Sequence, residues 1–169
     1  YHGDLLCGSY NGVYRFSLAT KQFVPLDTTL NRLLPHVCDM TLDANGCLWI
    51  VGEGLARYEM TTGKTELLQA PFMRASERVC AIADKIYIGT SGYGVYCSSI
   101  HQWNPQQVEG IKSRFVHNLL VLPEQKMMVV GTDGMEFYHT QDGYVHRHKS
   151  ANGLPLKSLY NGAAERLTD

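Results

Sequence analysis

Apolar residues along this chain fall into short blocks rather than long helical stripes. One block recurs four times, as Leu5-Leu6-Cys7-Gly8, Leu48-Trp49-Ile50-Val51, Ile86-Tyr87-Ile88-Gly89 and Met128-Val129-Val130-Gly131. The starts lie 43, 38 and 42 residues apart. Behind each block comes a glycine followed by an apolar residue, at Gly12-Val13, Gly54-Leu55, Gly94-Val95 and Gly134-Met135, spaced 42, 40 and 40. Four residues further on stand Phe16, Tyr58, Ser98 and Tyr138, so the aromatic place is kept in three copies and lost in the third. Self-similarity at a fixed period of this size marks a repeat architecture.

Each copy divides into strands. In the second, Val37–Leu42 is apolar, 43–46 (Asp-Ala-Asn-Gly) turns, Leu48–Val51 follows, 52–54 turns again, and Leu55–Met60 leads through Thr62-Gly63-Lys64 into Thr65–Leu68. Asp84-Lys85 and Asp142-Gly143 supply hairpin chemistry in other copies. Four antiparallel strands per period predict an all-β fold, a β-propeller of four-stranded blades. Middle strands covered on both faces by neighbouring blades should be continuously apolar, and they are. The outermost strand should be more polar, as 144–149 (Tyr-Val-His-Arg-His-Lys) is.

The expected blade pieces are 1–34, 35–76, 77–114 and 115–157, with a further blade starting at 158–169. Pro155–Leu167 also shows helical spacing, but Asn161-Gly162 and its place in the repeat favour a strand. By phase the chain opens on the second strand of a blade and closes after the first strand of another. A closed four-bladed ring is arithmetically open; the preferred reading is a piece of a larger, seven-bladed propeller.

Composition narrows the function classes. The 169 residues carry 15 Lys+Arg against 16 Asp+Glu, a balance that argues against nucleic-acid binding by bulk charge. With 44% hydrophobic and 18% charged residues the chain is not of the disordered class. No apolar run is long enough to span a bilayer as a helix. The chain begins at Tyr1 without a signal-peptide pattern and reads as an excerpt. Cys7, Cys38, Cys47, Cys80 and Cys97 have neither zinc nor CxxC spacing and read as buried small hydrophobes.

Leu48-Trp49-Ile50, then 54–58 (Gly-Leu-Ala-Arg-Tyr) and Thr62-Gly63-Lys64, together with Asn152-Gly153-Leu154-Pro155, resemble the two-component regulator propeller repeat. The resemblance runs from about Leu5 to Thr168; it departs at Val51, where that family has glycine, and at Ser98. It implies the periplasmic sensor region of a hybrid two-component histidine kinase from a glycan-degrading gut bacterium. There, one or two seven-bladed propellers precede a β-sandwich, a membrane span, a kinase, a receiver and a DNA-binding domain. It further implies an oligosaccharide ligand, control of polysaccharide-utilisation genes and a homodimer of the full sensor. No kinase or helix-turn-helix chemistry lies in this chain, no nucleic-acid contact is expected of it, and no cofactor, metal or catalytic residue is assigned.

A ligand would be met by the loops that lead into the inner strands. These bring Arg32 and His36, Arg74 and Arg78, Lys112, Arg114 and His117, and Lys157. A basic residue near the start of every inner strand would form a cationic rim suited to acidic sugars. Ordinary solvated loop charge explains the same residues, and Glu77 and Glu109 dilute the patch. Tyr93 is a second candidate, as a platform for a pyranose ring. Trp103 falls in an outer turn and reads as packing, and Trp49 as strand core. His146 and His148 point to one face of an outer strand but lack a third ligand. A lyase or glycan-active propeller using His36, Glu77 and His117 stays open, as does a protein-interaction propeller, which lacks its usual Gly-His and Trp-Asp dipeptides here.

Overall fold

A computed structural model describes residues 5–132 and 134–148. Among these residues fifteen strands form four antiparallel sheets side by side, the blades of a β-propeller. The first sheet holds β1 (Leu5–Ser9), β2 (Gly12–Ser17) and β3 (Gln22–Pro25). The second holds β4 (Val37–Leu42), β5 (Cys47–Gly52), β6 (Leu55–Glu59) and β7 (Thr65–Leu67). The third holds β8 (Ser76–Ile82), β9 (Lys85–Thr90), β10 (Val95–Ser99) and β11 (Gln106–Gln107). The fourth holds β12 (Val116–Leu122), β13 (Lys126–Gly131), β14 (Gly134–His139) and β15 (Val145–His148). In every sheet the strands lie in chain order. Lys157, the segment Pro155–Leu167 and the expected start of a further blade lie outside the described residues.

The core consists of the layers between blades. On β5, Leu48 and Ile50 pack with Val13 and Leu30 on the side of the first sheet. Trp49 and Val51 pack with Val79, Ile86 and Ile88 on the side of the third. On β9 the alternation repeats, because Tyr87 leaves Ile86 and Ile88 and joins Met127 and Val129 of the fourth sheet. Successive side chains of a strand point to opposite faces, so a strand with a neighbour on each face is apolar throughout. That is the origin of the apolar blocks on β5 and β9.

Glycine in β5 is displaced, not lost. Gly52 pairs with Val37 as Gly131 pairs with Val116, each at the end of its strand. A Cβ on Gly52 would sit 1.9 Å from the His36 carbonyl oxygen, and one on Gly131 2.8 Å from that of Phe115. Val51, one place earlier, is free to be a core residue, fully buried.

Several local expectations change. The turn into β9 is centred one residue earlier than Asp84-Lys85, with Ala83 at φ 53° and Lys85 already in the strand. The linker before β4 contains a helix, α1 (Thr28–Leu33), which the sequence reading did not include. Asp27 caps it, accepting from the Thr29 and Leu30 amides at 2.7 and 2.8 Å, and Leu30 and Leu34 plug the layer beneath. A capping Asp followed by two leucines four apart was the available signal.

The cysteines are free thiols, but they are not uniformly buried. Cys38 is exposed, because a β-bulge between Val37 and Asp39 takes it out of the strand alternation. Cys47, the one cysteine outside an apolar run, is buried beneath Arg57, whose Nη2 lies 3.2 Å from its Sγ. Trp103 is packed: its Nε1 donates to the Gln69 carbonyl at 2.9 Å and its ring lies 6.1 Å from that of Trp49.

Candidate functional site

In an antiparallel sheet of consecutive strands, alternate connections emerge at the same end. The linkers between blades and the tight turns between middle strands therefore share one face, the upper rim. Backbone hydrogen bonds tie them together in three blades. The Glu53 amide donates to the His36 carbonyl at 3.3 Å, Ser91 to Ala75 at 2.8 Å and Thr132 to Phe115 at 3.2 Å.

This repetition brings a turn of one blade beside the linker of the next. Between the first and second sheets the Tyr10 ring stacks on His36, centroids 4.5 Å apart and planes within 6°. Between the second and third, Glu53 and Arg74 line a cleft of about 390 Å³. Between the third and fourth, the Arg114 carbonyl accepts from the Gly92 and Gly94 amides, each at 2.9 Å. This holds Tyr93 and Phe115, both 51% exposed, on neighbouring stretches of the rim. Thr90 Oγ1 also accepts from the Tyr93 amide, and the Gln107 side chain donates to its carbonyl, so the turn is fixed from both sides.

Below the rim the inner strands are joined at their bulges. Asp39 accepts from its neighbour Met40 at 2.8 Å and, through Oδ2, from the Val79 amide of the next blade at 3.0 Å. Burial pushes the Asp39 carboxyl up, and the Val79 and Met40 amides oppose this only in part. One blade on, Arg78 donates from Nε to the His117 carbonyl at 2.7 Å and from Nη1 to the Glu77 carbonyl at 2.6 Å. Cys38 is exposed as a residue but its sulfur is partly desolvated, and this, with Glu77 next, pushes the thiol up, away from the thiolate that a nucleophile needs.

The residues expected to form the rim are distributed as follows. Arg32 is exposed at the last turn of α1, Arg74 is exposed on a 3-10 turn (Met73–Ala75), and Lys112 and Arg114 are exposed on the linker before β12. His36 and Arg78 are half-buried, and His117 sits 3.2 Å from Thr132 Oγ1 through Nε2. His36, Glu77 and His117 stand on or beside three different inner strands. Among the described residues no group of three or more His, Cys, Asp or Glu could hold a metal ion. Within β15, His146 and His148 meet edge to face at 4.7 Å.

Tyr10, Glu53 and Phe115 were missed. The signal for the first two was available, since Tyr10, Glu53 and Tyr93 all occupy the turn just ahead of the repeating glycine.

No protein-family model and no curated protein matches the sequence. Solved structures do match in fold. One is the extracellular domain of a B. thetaiotaomicron protein described as hybrid two component system BT4673. It superposes with TM-score 0.70 and 21% identity over 94% of this chain and 22% of that one. Another, from the same organism, is the extracellular domain of a protein described as hybrid two component system BT3049. It gives TM-score 0.74 and 20% identity over 95% of this chain and 23% of that one. A further structure of the BT4673 domain, there described as a one component system, gives TM-score 0.67 at 21% identity. The chain thus spans under a quarter of the length of these structures.

Proposed function

We propose that this chain is a non-catalytic segment of the periplasmic sensor propeller of a hybrid two-component histidine kinase. Its partners are the remaining blades and domains of that protein, which acts as a homodimer. The reading rests on one observation: 94 to 95% of the chain follows the fold of extracellular domains described as parts of two-component systems. The ligand in this reading is an oligosaccharide, met on the upper rim by Arg32, His36, Arg74, Tyr93, Arg114, His117 and, from outside the described residues, Lys157; Arg78, expected among them, is instead bonded below the rim to the His117 and Glu77 carbonyls.

Rim geometry supports the choice of face. Turns and linkers of successive blades converge there, and they present exposed aromatic rings next to exposed guanidinium groups. Flat apolar faces and charge-assisted donors together suit an acidic sugar.

Calorimetry of the full chain against paired acidic and neutral oligosaccharides, at low and high salt, tests this. Binding of an acidic sugar that weakens with salt and on Arg114→Ala is the expected result. Turnover of any sugar in the panel would replace the sensor by an enzyme, and absence of binding throughout would remove the ligand role.

A further inference from the structure

The cleft between the second and third blades is lined by an acid and a base. Glu53 projects from the β5–β6 turn and Arg74 from the 3-10 turn of the following linker, and both line its cavity of about 390 Å³. Among the described residues neither side chain takes part in an ion pair or a side-chain hydrogen bond. An adjoining cleft of about 140 Å³ shares Glu53 and is walled by Leu33, Leu67 and Met73. Leu33 and Leu67 are 45% and 44% exposed, so the apolar wall is open to solvent. Taken together through their shared Glu53, the two spaces offer a groove with apolar lining in one part and a carboxylate and a guanidinium in the other.

We infer that this groove is a subsite for a hexuronate residue, a pyranose ring carrying a carboxylate. The inference rests on the sensor reading above and specifies the ligand class. A guanidinium matches a carboxylate in a two-pronged, charge-assisted pair. An ionised carboxylate is acceptor-only, with two oxygens that suit the adjacent hydroxyls of a ring diol. A hexuronate offers both groups at opposite edges of one ring, and its C–H face covers Leu33, Leu67 and Met73. The volume is at the small end of the range for ligand sites, on the scale of one or two sugar rings.

The test is calorimetry of the full chain with cellobiouronic acid and its neutral counterpart cellobiose, within the wider panel of acidic and neutral pairs. Variants Arg74→Gln and Glu53→Gln sit on exposed turns, and an unchanged thermal melt certifies their folding. Acidic sugars should bind at least about ten-fold tighter than their neutral partners, and Arg74→Gln should abolish that preference. Glu53→Gln should weaken both members of a pair by about ten-fold, since both carry the diol. If sugars bind but both variants leave every affinity unchanged, the groove assignment falls and the sensor reading stands. Equal affinity within pairs, or a preference for glucosamine over the uronate, overturns the hexuronate. If no sugar in the panel binds, the groove and the ligand role fall together.

Discussion

Arg78 on one inner strand donates from Nε to the carbonyl oxygen of His117 on the next, at 2.7 Å. With the Asp39 contact to the Val79 amide at 3.0 Å, it forms a belt of side-chain-to-backbone bonds across three successive blades. Below the rim the layers between these sheets are built mainly of apolar side chains, so these polar contacts fix how the inner strands slide against one another. Replacing Arg78 by Ala should cost about 1–3 kcal/mol, as expected for a lost charge-assisted bond to a half-buried carbonyl. Arg78→Lys should recover only part, because an ammonium cannot reach both carbonyls in the guanidinium's fork. Urea unfolding of the three proteins decides this, and equal midpoints would dismiss the belt.

Glu136 on β14 is buried and accepts from the Lys112 and Ser113 amides and from Arg147. Burial pushes its carboxyl up, but hydrogen bonds from Ser113, Lys112 and Arg147 outweigh it and hold the group below the usual glutamate range. A carboxyl depressed in the folded state contributes stability above its unfolded value, and that contribution is lost as pH falls through the folded one. Glu136→Gln should therefore destabilise at neutral pH by about 2–4 kcal/mol, leaving Arg147 with no carboxylate partner. The deficit should shrink as pH drops below the ordinary carboxylate range. Denaturation followed from neutral to acid pH measures it, and a constant difference would contradict the linkage.

Asp43 organises the turn ahead of β5. Its Oδ1 accepts from the Asn45 and Cys47 amides at 2.8 and 3.0 Å, and its Oδ2 from Trp49 Nε1 at 2.8 Å. Asp43→Ala should cost about 2–4 kcal/mol, since it strands a buried indole N–H as well as two turn amides. The effect is readable in Trp fluorescence, because Trp49 and Trp103 are the protein's two tryptophans and lie 6.1 Å apart. Trp103→Ala should cost less than Trp49→Ala, since only Trp49 is fully enclosed.

Glu124 and Gln125 form the β12–β13 turn with φ of 59° and 55°, both left-handed. Neither is glycine or asparagine, the residues that left-handed turn positions prefer. Gln125→Gly should raise stability by about 0.5–1 kcal/mol; the carbonyl that accepts from Thr140 belongs to the backbone and survives the change. A lowered thermal midpoint would argue against strain at this turn.

The repeat, the strands of each copy and the propeller were legible in the order of residues. Among the described residues β5 and β9 face a blade on either side, so their central positions are apolar throughout and the block stands out without any partner being known. The departure at Val51 was visible too, though not its meaning, which needed the pairing of Gly52 with Val37. Local chemistry was weaker where it competed with packing, as at Asp84-Lys85 and at α1.

The rim was legible only as a set of residue types. That Tyr10 meets His36, that Glu53 faces a cleft with Arg74, and that Arg78 is committed to a neighbouring carbonyl depend on blades lying side by side. Each of those pairs joins residues some 20 to 40 positions apart, across linkers whose path no local propensity sets. Periodicity reports the environment of a residue one strand at a time, and so it determined the fold. Contacts between blades are made by loop ends brought together when apolar faces close on one another, and there the tertiary structure alone decided which charges are bonded to a neighbouring blade and which line a cleft.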